Sequence, residues 1–350
     1  MSSASPKVRF SAGGSFQADL VRRVDEYFES SARARHGGWP IAVKITAMLS
    51  WLVLSWALLM FADPGPWLAA LLSVSIGLAV AGVGFCVMHD ANHGAASPSA
   101  RVNRLLSFSL DLLGASSALW RHKHNVLHHT YTNVSGADPD LEGGGAVLRL
   151  APWQPRYPWH RFQRFYVWLV YALFPLKWWF IDDVLELAEG RVRGRELFTA
   201  ILGKVLFVGW AFALPAALHL SWGLVGIWAI ALVTLGNVMA FIFQLAHCVG
   251  EAEFVERDDV DGGWMLHQVA TTVDFAPTNF FLTWYLGGLN FQVEHHLFSR
   301  ICHVHYPALR RIVAETCRAH RVPYRCQPTL WSALGANWRW LRKLGEPAAA

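Results

Sequence analysis

Sixteen histidines are spread over the 350 residues, and ten of them fall in three windows, 89–93, 122–129 and 295–305. Those windows hold 24 residues, where even spacing would place about one histidine. Imidazole titrates near neutrality and ligates transition metals through either ring nitrogen, so clustering of this kind points to metal chemistry. The first cluster, His89-Asp90-Ala91-Asn92-His93, places two histidines four residues apart. On a helix they share one face and can ligate one metal or two neighbouring ones. The second, His124-Asn125-Val126-Leu127-His128-His129, offers ligands at i, i+4 and i+5. Adjacent residues on an α-helix point about 100° apart, which suits a pair of ions better than a single one. The third, Gln292-Val293-Glu294-His295-His296, repeats the adjacent pair. A lone histidine such as His247 is as readily a helix cap as a ligand, and an isolated i,i+4 pair is more often structural. Two adjacent pairs brought to the same place as these others outweigh that plain reading.

Eight histidines exceed the three or four protein ligands of a zinc ion and fit two ions with four imidazoles each. Imidazole suits iron, copper and zinc alike, so ligand type leaves the metal open. Ligating histidines need acceptors for their second ring nitrogen. Asp90, Asp138, Asp140 and Glu294 are candidates, with Asn125 and Gln292 inside the clusters as further outer partners; solvated side chains are the plain alternative. His122, His267, His303 and His305 lie near the clusters and are read as structural, and His36, His160, His219 and His320 are assigned no chemistry.

The elements that must carry these residues are membrane spans. The chain is 54% apolar and only 16% charged, with 18 Trp and 21 Phe, whereas a soluble domain carries about 25% charge. The apolar residues form unbroken runs: Ile41–Phe61 with Lys44 near its start, Trp67–Met88 with no charge, Leu197–His219 with Lys204 placed to snorkel, and Trp222–Ala246 with no charge. At about 20 residues per crossing, these make four transmembrane helices in two hairpins, an all-α integral membrane fold. The hairpin turns hold no Lys or Arg, so the basic regions, both termini and the histidine clusters are expected on the cytoplasmic side. Phe165–Ile181 contains Pro175 and Lys177, and a fifth span there would put the third cluster across the membrane from the first two. It is expected to be an interfacial or partly embedded helix, as is the stretch Phe280–Tyr285.

The expected layout is a cytoplasmic N-terminal segment over 1–40, a membrane and catalytic domain over 41–315, and a basic cytoplasmic tail over 316–350. The stretch from Arg300 to Lys343 forms a helical cap, and Pro-Ala-Ala-Ala at the end frays. The net charge of +5 lies between the apolar runs, as expected beside anionic headgroups; nucleic acid is not an expected partner. Five cysteines without a CxxC pair read as reduced thiols. The polar start shows no signal peptide, so the first span is expected to serve as an uncleaved anchor.

The motifs HDANH, HNVLHH and QVEHH resemble the three histidine boxes of the membrane fatty-acid desaturases. The flanking segments HHTYTNVSGADPD, HQVATTVDFAPTNFF and GGLNFQVEHHLFSRICHVHYPAL are similar as well, so the likeness runs over roughly residues 80–315. The resemblance implies a diiron centre, dioxygen as oxidant, a fatty-acyl substrate (as coenzyme A, carrier-protein or phospholipid form) and a mushroom-shaped helical fold. It makes His247 the isolated ligand after the fourth span. Gln292 opens the third box as in front-end desaturases, although bacterial relatives with this glutamine include other regiochemistries. Front-end enzymes often carry a fused cytochrome b5; only His36-Gly37-Gly38 echoes its haem motif here. A separate electron donor, such as a ferredoxin with its reductase, and a bacterial inner-membrane location are therefore expected. A diiron hydroxylase or ketolase is the nearest alternative. A metal transporter is less favoured, since its ligands would sit within the spans.

Overall fold

Backbone groups in hydrocarbon must be paired internally, and a helix does this within one segment; the apolar runs of this chain are all helical. The computed structural model describes residues 9–142, 144–219, 221–257 and 262–347. In chain order, α1 (Ser15–Ser31) precedes a first hairpin of α2 (Gly38–Phe61) and α3 (Pro66–Asn92). Helices α4 (Ala100–Leu112), α5 (117–131) and α6 (163–188) follow. A second hairpin joins α7 (Gly194–His219) to α8 (Trp222–His247). Three short helices, α9 (Trp264–Thr271), α10 (Phe280–Tyr285) and α11 (Gln292–Leu297), lead to α12 (Tyr306–Ala319) and α13 (Leu330–Gly345). The strands β1 (Asp274–Phe275) and β2 (Cys326–Gln327) pair in parallel and tie the C-terminal part to the segment before the third cluster.

Among the described residues, the four helices long and apolar enough to cross a membrane are α2, α3, α7 and α8. Pro66 opens α3 at a position whose N–H would have no helical partner in any case. α3 is the central span: 78% of its most apolar window is buried, against 17–22% in the other three. It packs on both α2 and α8. At the turn end of the bundle His219 Nε2 donates to the Met60 carbonyl (2.7 Å), joining the two hairpins. α3 also runs beyond the expected exit at Met88. A π-helical turn at Gly84–Met88 carries it on to Asn92, so His89 and Asp90 belong to the span helix itself.

α6 does not cross the bundle. Its first residue, Gln163, accepts from the Arg149 amide (2.8 Å) and donates to the Leu341 carbonyl (2.9 Å), and near its other end Glu186 pairs with Lys123 at 2.7 Å. Both ends thus return to the histidine side, while its middle lies against α8. The approach is close enough that a Cβ at Gly236 would sit 2.3 Å from the Tyr171 carbonyl. α10 leaves Phe280 and Phe281 exposed and sends the Tyr285 hydroxyl to the Leu78 carbonyl of α3 (2.8 Å), so it too dips beside the bundle.

One expectation is corrected by the packing. Lys204 does not snorkel: its ammonium is held inside by the Gly114 and Trp179 carbonyls (both 2.8 Å) and Asp183 (3.3 Å). α1 shares one apolar core with α9, α11 and α12 through Leu20, Val24, Val269, Val293, Leu309 and Val313. α12 runs across residues 315 and 316, and α13 packs on the rest of the cap: Asn337 donates to the Cys248 carbonyl (2.8 Å) and Trp340 to the Leu150 carbonyl (3.0 Å). Of the final Pro-Ala-Ala-Ala, residues 348–350 lie outside the described residues.

Candidate metal centre

Four separate stretches deliver eight histidines to the cap end of the bundle. His89 and His93 come from the last turn of α3, His124, His128 and His129 from α5, His247 from the last position of α8, and His295 and His296 from α11. All eight are buried. α5 is π-helical over Arg121–His128, and its i→i+5 bonding brings residues five apart towards one face. His124 and His129 accordingly meet with their Nε2 atoms 3.2 Å apart.

The rings fall into two groups. His89, His93, His124 and His295 bring ligand atoms within 4.8 Å of one another, and so do His128, His247 and His296. His129 joins them: it groups with His295 and His296, with ring centroids 4.6 and 4.3 Å away. Nitrogens on seven of the eight, including His89 Nε2, His93 Nε2, His128 Nε2, His129 Nδ1, His295 Nε2 and His296 Nε2, are buried without a hydrogen-bond partner among the described residues. A buried polar atom with no partner costs about 1–3 kcal/mol, and so many facing one another need an occupant. Burial and the neighbouring rings hold His93, His124, His129, His295 and His296 well below the ordinary imidazole range, which keeps them neutral as metal ligands must be. His128 differs: burial opposes its charged form, but Asp138 and Asp140 prevail and raise it to about 9. These residues fit a pair of metal ions.

The outer partners are partly those expected. His128 Nδ1 donates to Asp138 (3.1 Å), whose carboxylate is itself fixed by the Asn133 and Asp140 amides (2.9 and 3.0 Å). Asp140 stands 3.5 Å from the same nitrogen. Gln292 is buried beside His247. Asn125 acts on backbone rather than on a ring: it donates to the Asn92 carbonyl (2.9 Å) and so ties α5 to the end of α3. Glu294 is a correction. Its carboxyl points into the cap, where Tyr324 donates to it (3.0 Å) and to Asp274. Burial and the adjacent Asp274 hold Glu294 well above the ordinary carboxyl range. Asp274 in turn accepts from the Val293 amide (3.0 Å), which caps α11 and sets the third pair of histidines.

Several partners had no sequence signal. His296 Nδ1 donates to Gln268 Oε1 (2.8 Å), with the Thr132 hydroxyl 3.2 Å from the same nitrogen. His295 Nδ1 meets the Tyr306 hydroxyl (3.2 Å), and Trp264 donates to the His129 carbonyl (3.0 Å). His267, read as structural, binds the Thr132 carbonyl (2.8 Å) one layer further out. Outer-shell losses cost about 10–100-fold in metal affinity. Gln268→Leu is therefore expected to lower metal content at submicromolar free metal by that factor with little change in fold, read by elemental analysis of the purified protein; undiminished content would contradict this role.

Behind His89 lies a second polar line. Asp90 stands 3.9 Å from His89 Nδ1, too far for a hydrogen bond, and accepts instead from His303 Nδ1 (2.8 Å) and the Cys302 thiol (3.1 Å). His303 Nε2 meets the Lys44 ammonium (2.8 Å), and Lys44 lies over the Trp284 ring. Asp90, Cys302 and His303 are close enough to hold an ion, but they satisfy one another and are better read as a buried ion pair relayed through an imidazole.

A family model described as fatty acid desaturase matches residues 65–328, from the start of α3 past the third histidine pair. The sn-1 linoleoyl-lipid 6-desaturase of Synechocystis is 37% identical over 97% of this chain and 98% of its own length. The protein of the same description from Arthrospira platensis is 37% identical over 98% of this chain and 96% of its own. An acyl-lipid (8-3)-desaturase of Physcomitrium patens is 36% identical over 94% of this chain and 72% of its own. With four candidate spans, two of which end in histidines of one buried centre, and these likenesses over nearly the whole chain, the protein belongs to the fatty acid desaturase family, oxidoreductases that introduce double bonds into acyl chains.

Proposed function

We propose that this protein inserts a cis double bond into the acyl chain of a membrane lipid, using two irons held by His89, His93, His124, His128, His129, His247, His295 and His296. The observation that carries the reading is the convergence of buried, unpartnered ring nitrogens from four segments in two adjoining groups. The bound irons would supply the capacity to reduce dioxygen and remove two hydrogens from neighbouring carbons. The balance is one dioxygen, two electrons, two protons and the two hydrogens of the acyl chain giving one alkene and two waters. The electrons come from a separate one-electron carrier, such as a ferredoxin with its reductase.

The chain's own residues supply orientation and dryness. Asp138, Gln268 and Tyr306 each engage the Nδ1 of one histidine, which turns its Nε2 inward. Trp120 stacks on His124 at 4.3 Å and Phe243 stands against its edge, closing that side with apolar surface. The names of the Synechocystis and Arthrospira relatives support a lipid-linked substrate, and with Gln292 they support action on the carboxyl side of an existing double bond. The basic loops support a cytoplasmic cap in a bacterial inner membrane.

Expression in a desaturase-deficient host, with mapping of double bonds in its total fatty acids, tests the reading. A new polyunsaturated species with one added alkene is expected. A hydroxylated or ketolated product without alkene would assign the site to the sister chemistry.

A further inference from the structure

A second group of charged residues, outside the metal centre, gathers at the entry of α5, the helix that carries His124, His128 and His129. Ser116 caps this helix, its hydroxyl accepting from the Leu119 amide (3.4 Å). The Ser116 amide donates to Asp183 of α6 (2.6 Å), and the Ser117 amide donates to Asp111 at the end of α4 (3.3 Å). Asp183 also lies 3.3 Å from the Lys204 ammonium of α7, which donates to the Gly114 and Trp179 carbonyls as well. Both carboxylates are buried. The first amides of a helix have no partner within it and carry positive partial charge, so carboxylates from two other helices hold this end in place.

From that end, one turn of backbone and one ring lead to a ligand. The Ser116 carbonyl accepts from the Trp120 amide (2.9 Å), and the Trp120 ring stacks on His124 with centroids 4.3 Å apart. Arg121 donates to Asn92 at the end of α3 (3.1 Å), and Lys123 pairs with Glu186 of α6 (2.7 Å), so the residues just before His124 are held on two sides. Stability alone does not favour this arrangement. Burial raises both carboxyls above the ordinary carboxylate range, Asp111 to about 6. A buried ion pair is often no more stabilising than apolar side chains of the same volume. Its distinct contribution is geometric, because the carboxylate of Asp183 meets both the Ser116 amide and the Lys204 ammonium only when the helix starts where it does.

We propose that Lys204 and Asp183 are positioning residues for the metal centre: they fix where α5 begins and, through Trp120, where His124 stands against His89 and His93. The proposal rests on the reading of the eight histidines as metal ligands and involves no contact with substrate.

Titration of the full-length protein in detergent with cobalt(II), after a chelator has cleared it of metal, tests the proposal. The wild type is expected to bind cobalt at its imidazoles. Lys204→Met should lower the affinity about tenfold, the lower end of what losing an outer partner costs. It should also change the visible absorption of the bound cobalt, which reports the geometry of its ligands. Asp183→Asn is isosteric and still offers Ser116 an acceptor; a smaller loss in the same direction is expected, and this variant decides if Lys204→Met fails to insert. His219→Leu removes a tie between the hairpins at the opposite end of the bundle. It should lower the midpoint of thermal unfolding and leave cobalt affinity and spectrum as in the wild type. Unchanged affinity and spectrum in the Lys204 and Asp183 variants overturn the proposal and leave the ligand reading standing. So does an equal fall in His219→Leu, which would make the loss one of general stability. A wild type that binds no cobalt would overturn the ligand reading, and the proposal with it.

Discussion

His295→Ala is expected to leave no detectable new alkene in a host that otherwise makes it. His295 is the one histidine common to the four-membered group with His89, His93 and His124 and to the group with His129 and His296. Its Nε2 has no hydrogen-bond partner, and its Nδ1 is held by Tyr306 at 3.2 Å. Removing it takes a ligand from the boundary between the two ion positions, so neither is left as built. The effect should far exceed the roughly 10–100-fold cost of an outer-shell loss. Gas chromatography of total fatty acids reads the product, and the amount of inserted protein in the membrane fraction controls for folding. Wild-type product levels from properly inserted His295→Ala would remove this residue from the ligand set and weaken the set as a whole.

Lys44→Met is expected to be the most destabilising substitution away from the centre. Lys44 is 6% exposed inside the first span, and its compensation runs through His303 to Asp90, with the Trp284 face beside it. Breaking one side of a buried ion pair leaves the other charge uncompensated, at a cost of about 3–5 kcal/mol. The midpoint of thermal unfolding in detergent should fall by several degrees. Because Lys44 and His303 belong to one network, the double variant Lys44→Met, His303→Leu should cost less than the sum of the two single changes, by about 0.5–3 kcal/mol. Additive losses would mean that the two side chains stabilise the fold independently. Asp90 directly follows His89, so the iron content of Lys44→Met is a useful second readout of how far the disturbance reaches.

What the sequence made legible follows from which signals are local. Unbroken apolar runs such as Trp67–Met88 announce a span without any knowledge of partners, and the four spans with short turns fix which ends lie together. Pro175, Lys177 and Asp182-Asp183 also spoke against a span at Phe165–Ile181, and among the described residues α6 is not one of the four helices long and apolar enough to cross a membrane. The histidines were legible because imidazoles crowded at short spacing have few other uses.

The remainder depended on contacts distant in sequence or on backbone form. An ideal α-helix spreads His124, His128 and His129 over different faces, whereas the π-helical run from Arg121 draws positions five apart together. No spacing rule announces that run. Gln268 and Tyr306 are a neutral amide and a phenol, ordinary core residues until His296 and His295 are placed against them. Glu294 looked like an acceptor because it precedes the histidine pair, but the short helix turns it the other way, onto Tyr324 and Asp274. Lys44 and Lys204 read as interruptions near span ends. Each is instead a buried cation whose partners are remote in sequence: His303 for Lys44, and Gly114, Trp179 and Asp183 for Lys204.

The central claim is that the eight histidines hold two irons. Elemental analysis of the purified full-length protein, made in iron-sufficient medium, tests it most directly. The prediction is about two irons per chain, with iron lost in His295→Ala while the protein remains inserted. One ion per chain, or zinc in place of iron, would contradict the account.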